Sequence, residues 1–178
     1  MILNVDKDIV LKQLELSDAP DIFNIIDTQR VHLGPWLPFV ETTQQLSDTA
    51  AFVGSVVNSP KDRMEYTFTI RVNGRMAGLI GFKDTDRANK KTEIGYWLSR
   101  EFLGRGIMTR SVSTLCDFAF RELDINRIQI KCAVANSASR NIPQRLGFRL
   151  EGIERAGELL TGGVFTDLAV YSRLKGDG

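Results

Sequence analysis

Apolar positions along the chain change period several times, and each change marks an element. Residues 9–14, Ile-Val-Leu-Lys-Gln-Leu, read as a first strand. Ile22, Phe23, Ile25 and Ile26 then fall at helical spacing. Ser17 is placed to cap that helix, and Asp18 and Asp21 suit its positive end. Gly34-Pro35-Trp36-Leu37-Pro38 stops it in a rigid aromatic loop. Residues 43–57 suggest a second helix with Leu46, Ala50, Val53 and Val57 on one face. From residue 65 the pattern turns extended: 65–72, an Asn73-Gly74 hairpin turn, and 75–82. A polar loop is expected over 83–91, then a strand over 92–98. Met108, Val112, Leu115, Cys116 and Ala119 return to helical spacing within 106–123. A strand over 127–134, a short helix over 137–146 and a strand from Gly147-Phe148 follow, and Gly162-Gly163 divides two final extended segments. Strands clustered before and after an αβα core predict an α/β (α+β) fold. It is a mixed central sheet flanked by helices, in a single domain spanning 1–178.

Composition narrows the function classes. Lys and Arg number 23 against 22 Asp and Glu, a net charge of +1. A nucleic-acid or anionic-membrane binder needs a basic excess, so neither is expected as a partner. The single His32 and two distant cysteines, Cys116 and Cys132, do not make a metal site. Neither cysteine lies in a CxxC, and they read as buried thiols in a reducing compartment. The first ten residues lack the basic region and apolar run of a signal peptide, and no apolar run approaches the ~20 residues of a membrane span. The expected location is cytoplasmic.

The most specific local feature is Leu103-Gly104-Arg105-Gly106 at the junction of strand and helix. A helix N-terminus offers unpaired N–H donors and about half a positive charge, which together suit a phosphate or pyrophosphate. A Rossmann dinucleotide site needs a third small residue where Arg110 stands and an acid at the end of the next strand, where Ala133-Val134 stand. A Walker A loop needs Gly-Lys-Ser/Thr, which is absent.

The register Leu103-Gly104-Arg105-Gly106-Ile107-Met108 resembles the Q/R-x-x-G-x-G/A acetyl-CoA loop of the GCN5-related N-acetyltransferases (GNAT). Leu103 stands in place of Gln/Arg, and Met108 in place of the last small residue. A second block, from Ala135-Asn136-Ser137 to Leu146-Gly147-Phe148, resembles the family's N-x-x-S…LGF segment. Residues 93–98, 104–109 and 148–152 are similar to the RimJ/RimL-type ribosomal-protein N-terminal acetyltransferases. The diagnostic motifs lie between Glu93 and Gly152, and the order of elements matches over nearly the whole chain.

The resemblance implies a sheet of about seven strands and acetyl-CoA as co-substrate, with no metal. Trp97, Leu98, Leu103, Gly104, Arg105, Gly106, Ile107, Met108, Thr109, Asn136 and Asn141 would contact the cofactor. Ser139 would lie near the CoA sulfur, and Glu158 or its rival Glu93 would take the amine proton. Trp36 and Phe39 would wall the acceptor site. The implied partner is a primary amine, a protein N-terminus or a small molecule such as a polyamine or aminoglycoside. A non-catalytic CoA-binding module stays open as the alternative, and a homo-oligomer is compatible with the sequence.

Overall fold

The structure, a computed structural model, describes residues 1–177. Its elements are β1 (Ile2–Asn4), β2 (Ile9–Gln13), α1 (Ala19–Thr28), α2 (Arg30–Leu33), α3 (Phe39–Thr42), α4 (Leu46–Val57), β3 (Thr67–Val72), β4 (Arg75–Asp86), β5 (Lys91–Leu98), α5 (Ile107–Glu122), β6 (Arg127–Ala133), α6 (Ser137–Arg145), β7 (Arg149–Leu160) and β8 (Val164–Leu174). The strands form one mixed sheet in the order β1-β2-β3-β4-β5-β6-β8-β7, and only β5 and β6 pair in parallel.

The sheet has eight strands where about seven are expected. The additional one is β1, which pairs with β2 from Ile2↔Lys12 to Asn4↔Val10 and is too short to show a period. The polar loop expected over 83–91 shrinks to a turn at 87–90, because β4 continues to Asp86 and β5 begins at Lys91. Both strand ends are polar, so alternation does not reveal them. Ser17 caps nothing. The turn before α1 is held by Asp18, whose Oδ2 accepts from the Glu15 N–H at 2.9 Å and whose Oδ1 accepts from Arg71 at 2.7 Å. The buried Asp18 carboxylate thus ties the start of α1 to β3. Helix α4 is also rotated from expectation: Val53 is buried as expected, but Thr49 is buried with it, while Leu46, Ala50 and Val57 are exposed.

Two cores lie on opposite faces of the sheet. Helices α5 and α6 bury Val112, Leu115, Cys116, Ala119 and Ile142 against Phe82, Ile94, Ile128, Ile130 and Tyr171. Helices α1 and α4 bury Ile22, Ile26 and Val53 against Met76 and Leu79. Each such aliphatic side chain contributes about 1.5–3 kcal/mol on burial.

The parallel pair is where the sheet opens. Pairing runs through Lys91↔Arg127, Thr92↔Ile128 and Glu93↔Gln129, and then stops. Beyond it β5 follows β4 to Gly78↔Leu98, and β6 follows β8 to Ala133↔Leu168. Gly78 permits the first of these paths: a Cβ there would lie 2.1 Å from the Trp97 carbonyl oxygen. The result is a V-shaped split at the C-terminal end of β5.

Candidate active site

At the mouth of this split the chain leaves β5, makes a 3-10 turn at Arg100–Phe102 and enters α5. Gly104 and Gly106 have φ of 74° and 65°, a left-handed conformation that costs other residues about 1–2 kcal/mol. Gly106 is the N-cap of α5. The backbone N–H groups of residues 104–109 donate to no protein acceptor among the described residues. A Cβ at Gly104 would meet nothing within 4 Å, so the turn presents an open concave face. Ile107 and Met108 point inward as buried anchors of α5, Leu103 and Arg105 are exposed, and Thr109 is half-buried. The Arg105 guanidinium lies over the Phe102 ring at 5.8 Å from its centroid. The departure from the small-residue pattern at Met108 is therefore absorbed by the core, with the N–H groups left facing out.

Backbone direction assigns the donors inside the split. The Ser99 N–H donates to the Ala77 carbonyl at 2.7 Å, toward β4. Alternation then turns the Trp97 N–H toward β4 as well, and those of Tyr96 and Leu98 toward the opening. The Trp97 side chain goes to the α1/α4 face. His32 Nε2 lies 3.2 Å from the Leu98 carbonyl oxygen and so bears the hydrogen of that bond.

On the α5/α6 face, three polar groups meet at the split. Ser139 Oγ lies 3.3 Å from both Tyr96 Oη and Cys132 Sγ, and Tyr96 donates to the Ser139 carbonyl at 3.0 Å. Burial pushes the Tyr96 hydroxyl well above its ordinary value and raises the Cys132 thiol, so both stay protonated at neutral pH. Asn136 spends its Oδ1 on the Ser139 N–H, capping α6 at 3.2 Å, and Asn141 is exposed. Tyr96 is a site residue that sequence reasoning missed. Its signal is the alternation that sets it opposite Glu93 and facing the Ser139 helix.

On the α1/α4 face a cavity of about 570 Å³ opens, lined by Phe39, Phe52, Trp97, Gly95, Lys83 and Glu158 among others. Trp36 is not in its wall; it sits half-buried in the turn before Phe39. Phe52 and Asp48 of α4 are wall residues that the sequence pattern does not pick out. Glu158 follows a bulge in the β7–β8 pairing that turns it toward the cavity. Burial pushes its carboxyl above the usual glutamate range; Lys83 opposes this and Glu93 adds to it. Glu93 is buried beside the cavity and engaged at both oxygens, by Lys83 at 2.9 Å and by Gln129 at 2.9 Å. The structure thus gathers Glu93 and Glu158 on one face, Ser139 on the other, and the split between them. A turn of unpaired N–H groups, N–H donors in a cleft and a carboxylate on a cavity are together suited to acyl transfer.

Residues 8–149 match the acetyltransferase (GNAT) domain model. The chain belongs to the GNAT acetyltransferase family. It is 36% identical over 177 residues to "Putative ribosomal N-acetyltransferase YdaF" of Bacillus subtilis (strain 168), covering 96% of this chain and 93% of that one. Among solved structures it resembles RimL, a ribosomal L7/L12 α-N-protein acetyltransferase in complex with coenzyme A. There the TM-score is 0.93 at 29% identity, with 98% of each chain covered. It also resembles the microcin C7 self-immunity acetyltransferase MccE, in complex with acetyl-CoA and AMP. That match has a TM-score of 0.90 at 29% identity, over 96% of this chain and 94% of that one. This acetyltransferase is accordingly an N-acyltransferase of the RimJ/RimL type, built on the mixed sheet described above.

Proposed function

We propose that the chain moves the acetyl group of acetyl-CoA to the α-amine at a protein N-terminus, a ribosomal protein being the favoured acceptor. The observation that carries this reading is the split between β5 and β6, with an open glycine turn at one mouth and a carboxylate-bearing cavity on the other face. The residues fit the cofactor: the free N–H groups of residues 104–109 suit its pyrophosphate, with Arg105 free to approach a phosphate. When bound, acetyl-CoA supplies an activated thioester.

The chain's own residues then divide the work. The Leu98 N–H, turned into the split, stabilises negative charge on the acetyl oxygen. Ser139, with Tyr96 behind it, hydrogen-bonds the departing sulfur. The coenzyme A of the RimL neighbour is joined by a disulfide to one of its cysteines. Cys132 is this chain's cysteine beside Ser139, which supports bringing the sulfur to this end of β6. Glu158 takes the amine proton, directly or through water. Asn136 and Asn141 line the approach of the pantetheine arm, and Phe39 packs on the acceptor.

The proton demand favours an α-amine. With a pKa of about 8, roughly a tenth of α-amines are neutral at pH 7, against fewer than about one in a thousand lysines at about 10.4. A single half-buried carboxylate suffices for the first. The cavity wall is mainly apolar and carries only Asp48, Lys83 and Glu158 as charged residues. That composition suits a monocationic amine followed by apolar chain better than a polyamine.

The test is thiol release from acetyl-CoA with a panel of short peptides, free lysine, spermidine and aminoglycosides. Turnover is expected with peptides carrying a free N-terminus, and mass spectrometry places the acetyl group on the α-nitrogen. Turnover confined to polyamines or sugars would replace this acceptor assignment; coenzyme A binding without any turnover would leave a binding module.

A further inference from the structure

Glu93 and Glu158 approach the same wall of the acceptor cavity, yet the structure treats them differently, and Lys83 is the reason. Lys83 stands directly opposite Glu93 across the β4–β5 pair. Its ammonium reaches Glu93 Oε1 at 2.9 Å while Gln129 closes Oε2 at 2.9 Å. The lysine stem passes over Gly95, where a Cβ would meet its Cε at 3.6 Å, an ordinary packing distance. Lys83 itself remains more than half exposed and lines the cavity with Glu158.

We infer that Lys83 is a positioning residue for proton transfer: it closes Glu93 into an ion pair and leaves Glu158 as the open base, setting the pH at which that base works. This rests on the acetyl-transfer reading above. The other charged groups around Glu158 are already engaged. Asp48 of α4 turns its Oδ2 to the Gln44 and Gln45 N–H groups at 2.9 and 3.0 Å. Lys131 of β6 pairs with Glu154 of β7 at 2.8 Å. The partner of Glu158 on β8 is Thr166, which does not titrate. The cavity residues of α1 and α3 are Ile22, Ile26, Phe39 and Thr42, none of them charged. Lys83 is the cation that lines the cavity with Glu158, and its removal also leaves the Glu93 carboxylate on the same wall without its ion pair. The sign is fixed: an adjacent cation favours the carboxylate, so its loss moves Glu158 to a higher pKa and its basic form to higher pH.

The experiment compares kcat/KM against pH for wild type, Lys83→Met and Lys83→Arg, with an N-terminal peptide as acceptor. Lys83→Met is expected to move the acid limb upward by about half a pH unit or more, with Lys83→Arg restoring it. The acetyl-CoA KM should stay put, since Lys83 lies on the face away from the glycine turn. Superimposable acid limbs for wild type and Lys83→Met would overturn the inference. Carbon-13 titration of the Glu158 carboxyl supplies a readout without turnover: an identical midpoint in wild type and Lys83→Met also overturns it. A midpoint that moves, in a protein that acetylates no amine, would leave the Lys83–Glu158 coupling standing and remove the acetyl-transfer reading instead.

Discussion

The two carboxylates show how little a residue's identity says without its partners. Glu93 and Glu158 are equal candidates in the sequence; in the structure one has both oxygens bound and the other faces a cavity. Glu158→Gln should therefore lower kcat/KM by about 10²-fold at neutral pH and remove the limb set by the carboxyl, leaving only the rise that follows the amine's own ionisation near pH ~8. The loss should shrink above pH 8, where an α-amine is already neutral. Because burial raises the Glu158 carboxyl, that limb in wild type should lie above the ordinary glutamate range, with activity falling as pH drops through it. Glu93→Gln should leave the limb in place in form, and a carboxyl limb removed by Glu93→Gln but not by Glu158→Gln would reverse the assignment. On the donor side, Gly106 sits at φ 65°, and a Cβ there would meet only the Arg110 side chain, at 4.0 Å. Substitution at this position therefore strains the backbone without a clash. Gly106→Val should weaken acetyl-CoA binding about tenfold or more by calorimetry, and Gly106→Asn, which tolerates this conformation, much less. Equal affinities for the three would refute the role of the turn.

At the scale of elements, the split depends on β5 following β4 more closely than β6. Gly78 allows that approach, because a Cβ would fall 2.1 Å from the Trp97 carbonyl oxygen. Gly78→Ala must push the end of β5 outward, into the space where the Leu98 N–H is aimed. A fall in kcat of about tenfold or more is expected, with about 1–3 kcal/mol lost from stability in urea. Unchanged kcat in a folded variant would mean that the position of β5 does not govern the reaction. The same scale separates what the sequence discloses from what it hides. The glycine turn, α5 and the Asn136–Phe148 block are local: their caps, helical spacing and left-handed glycines are neighbours in the chain. The cavity beside Glu158 is assembled from α1, α3, α4, β3, β4, β5 and β7, and no window of sequence holds it. Helix α4 departs from its apparent spacing for a related reason. Spacing alone selects Leu46, Ala50, Val53 and Val57, but the helix rotates to seat Thr49 beside Val53 on the core and offers Phe52 to the cavity. Trp36 and Phe39 occupy one aromatic loop, and the turn between them sends only Phe39 to the cavity.

Across the whole molecule, the order of elements is legible because each changes the hydrophobic period, while β1 and the outer ends of β4 and β5 are too short or too polar to do so. What holds the last strands to the sheet is also electrostatic. Arg127 of β6 binds both oxygens of Glu151 on β7 at 2.7 Å each, and Ser172 of β8 donates to the same carboxylate at 2.6 Å. These contacts, Arg127 first, hold the Glu151 carboxyl down to about 2. An unfolded glutamate titrates near ~4.3, so the unfolded chain takes up the proton first as pH falls. The stability contributed by this junction is thus complete above about pH 5 and drains away as pH drops toward 2. Glu151 is partly exposed, so solvent screening keeps the gain small at each site. The urea midpoint of wild type should fall between pH 5 and 3. Glu151→Gln should start lower at pH 7 and fall less steeply across that window. Because β7 also carries Glu158, the variant should lose activity at acid pH only as its fold loosens, in step with the urea midpoint. Parallel stability curves for the two proteins would show that the junction does not anchor β7 through its charge.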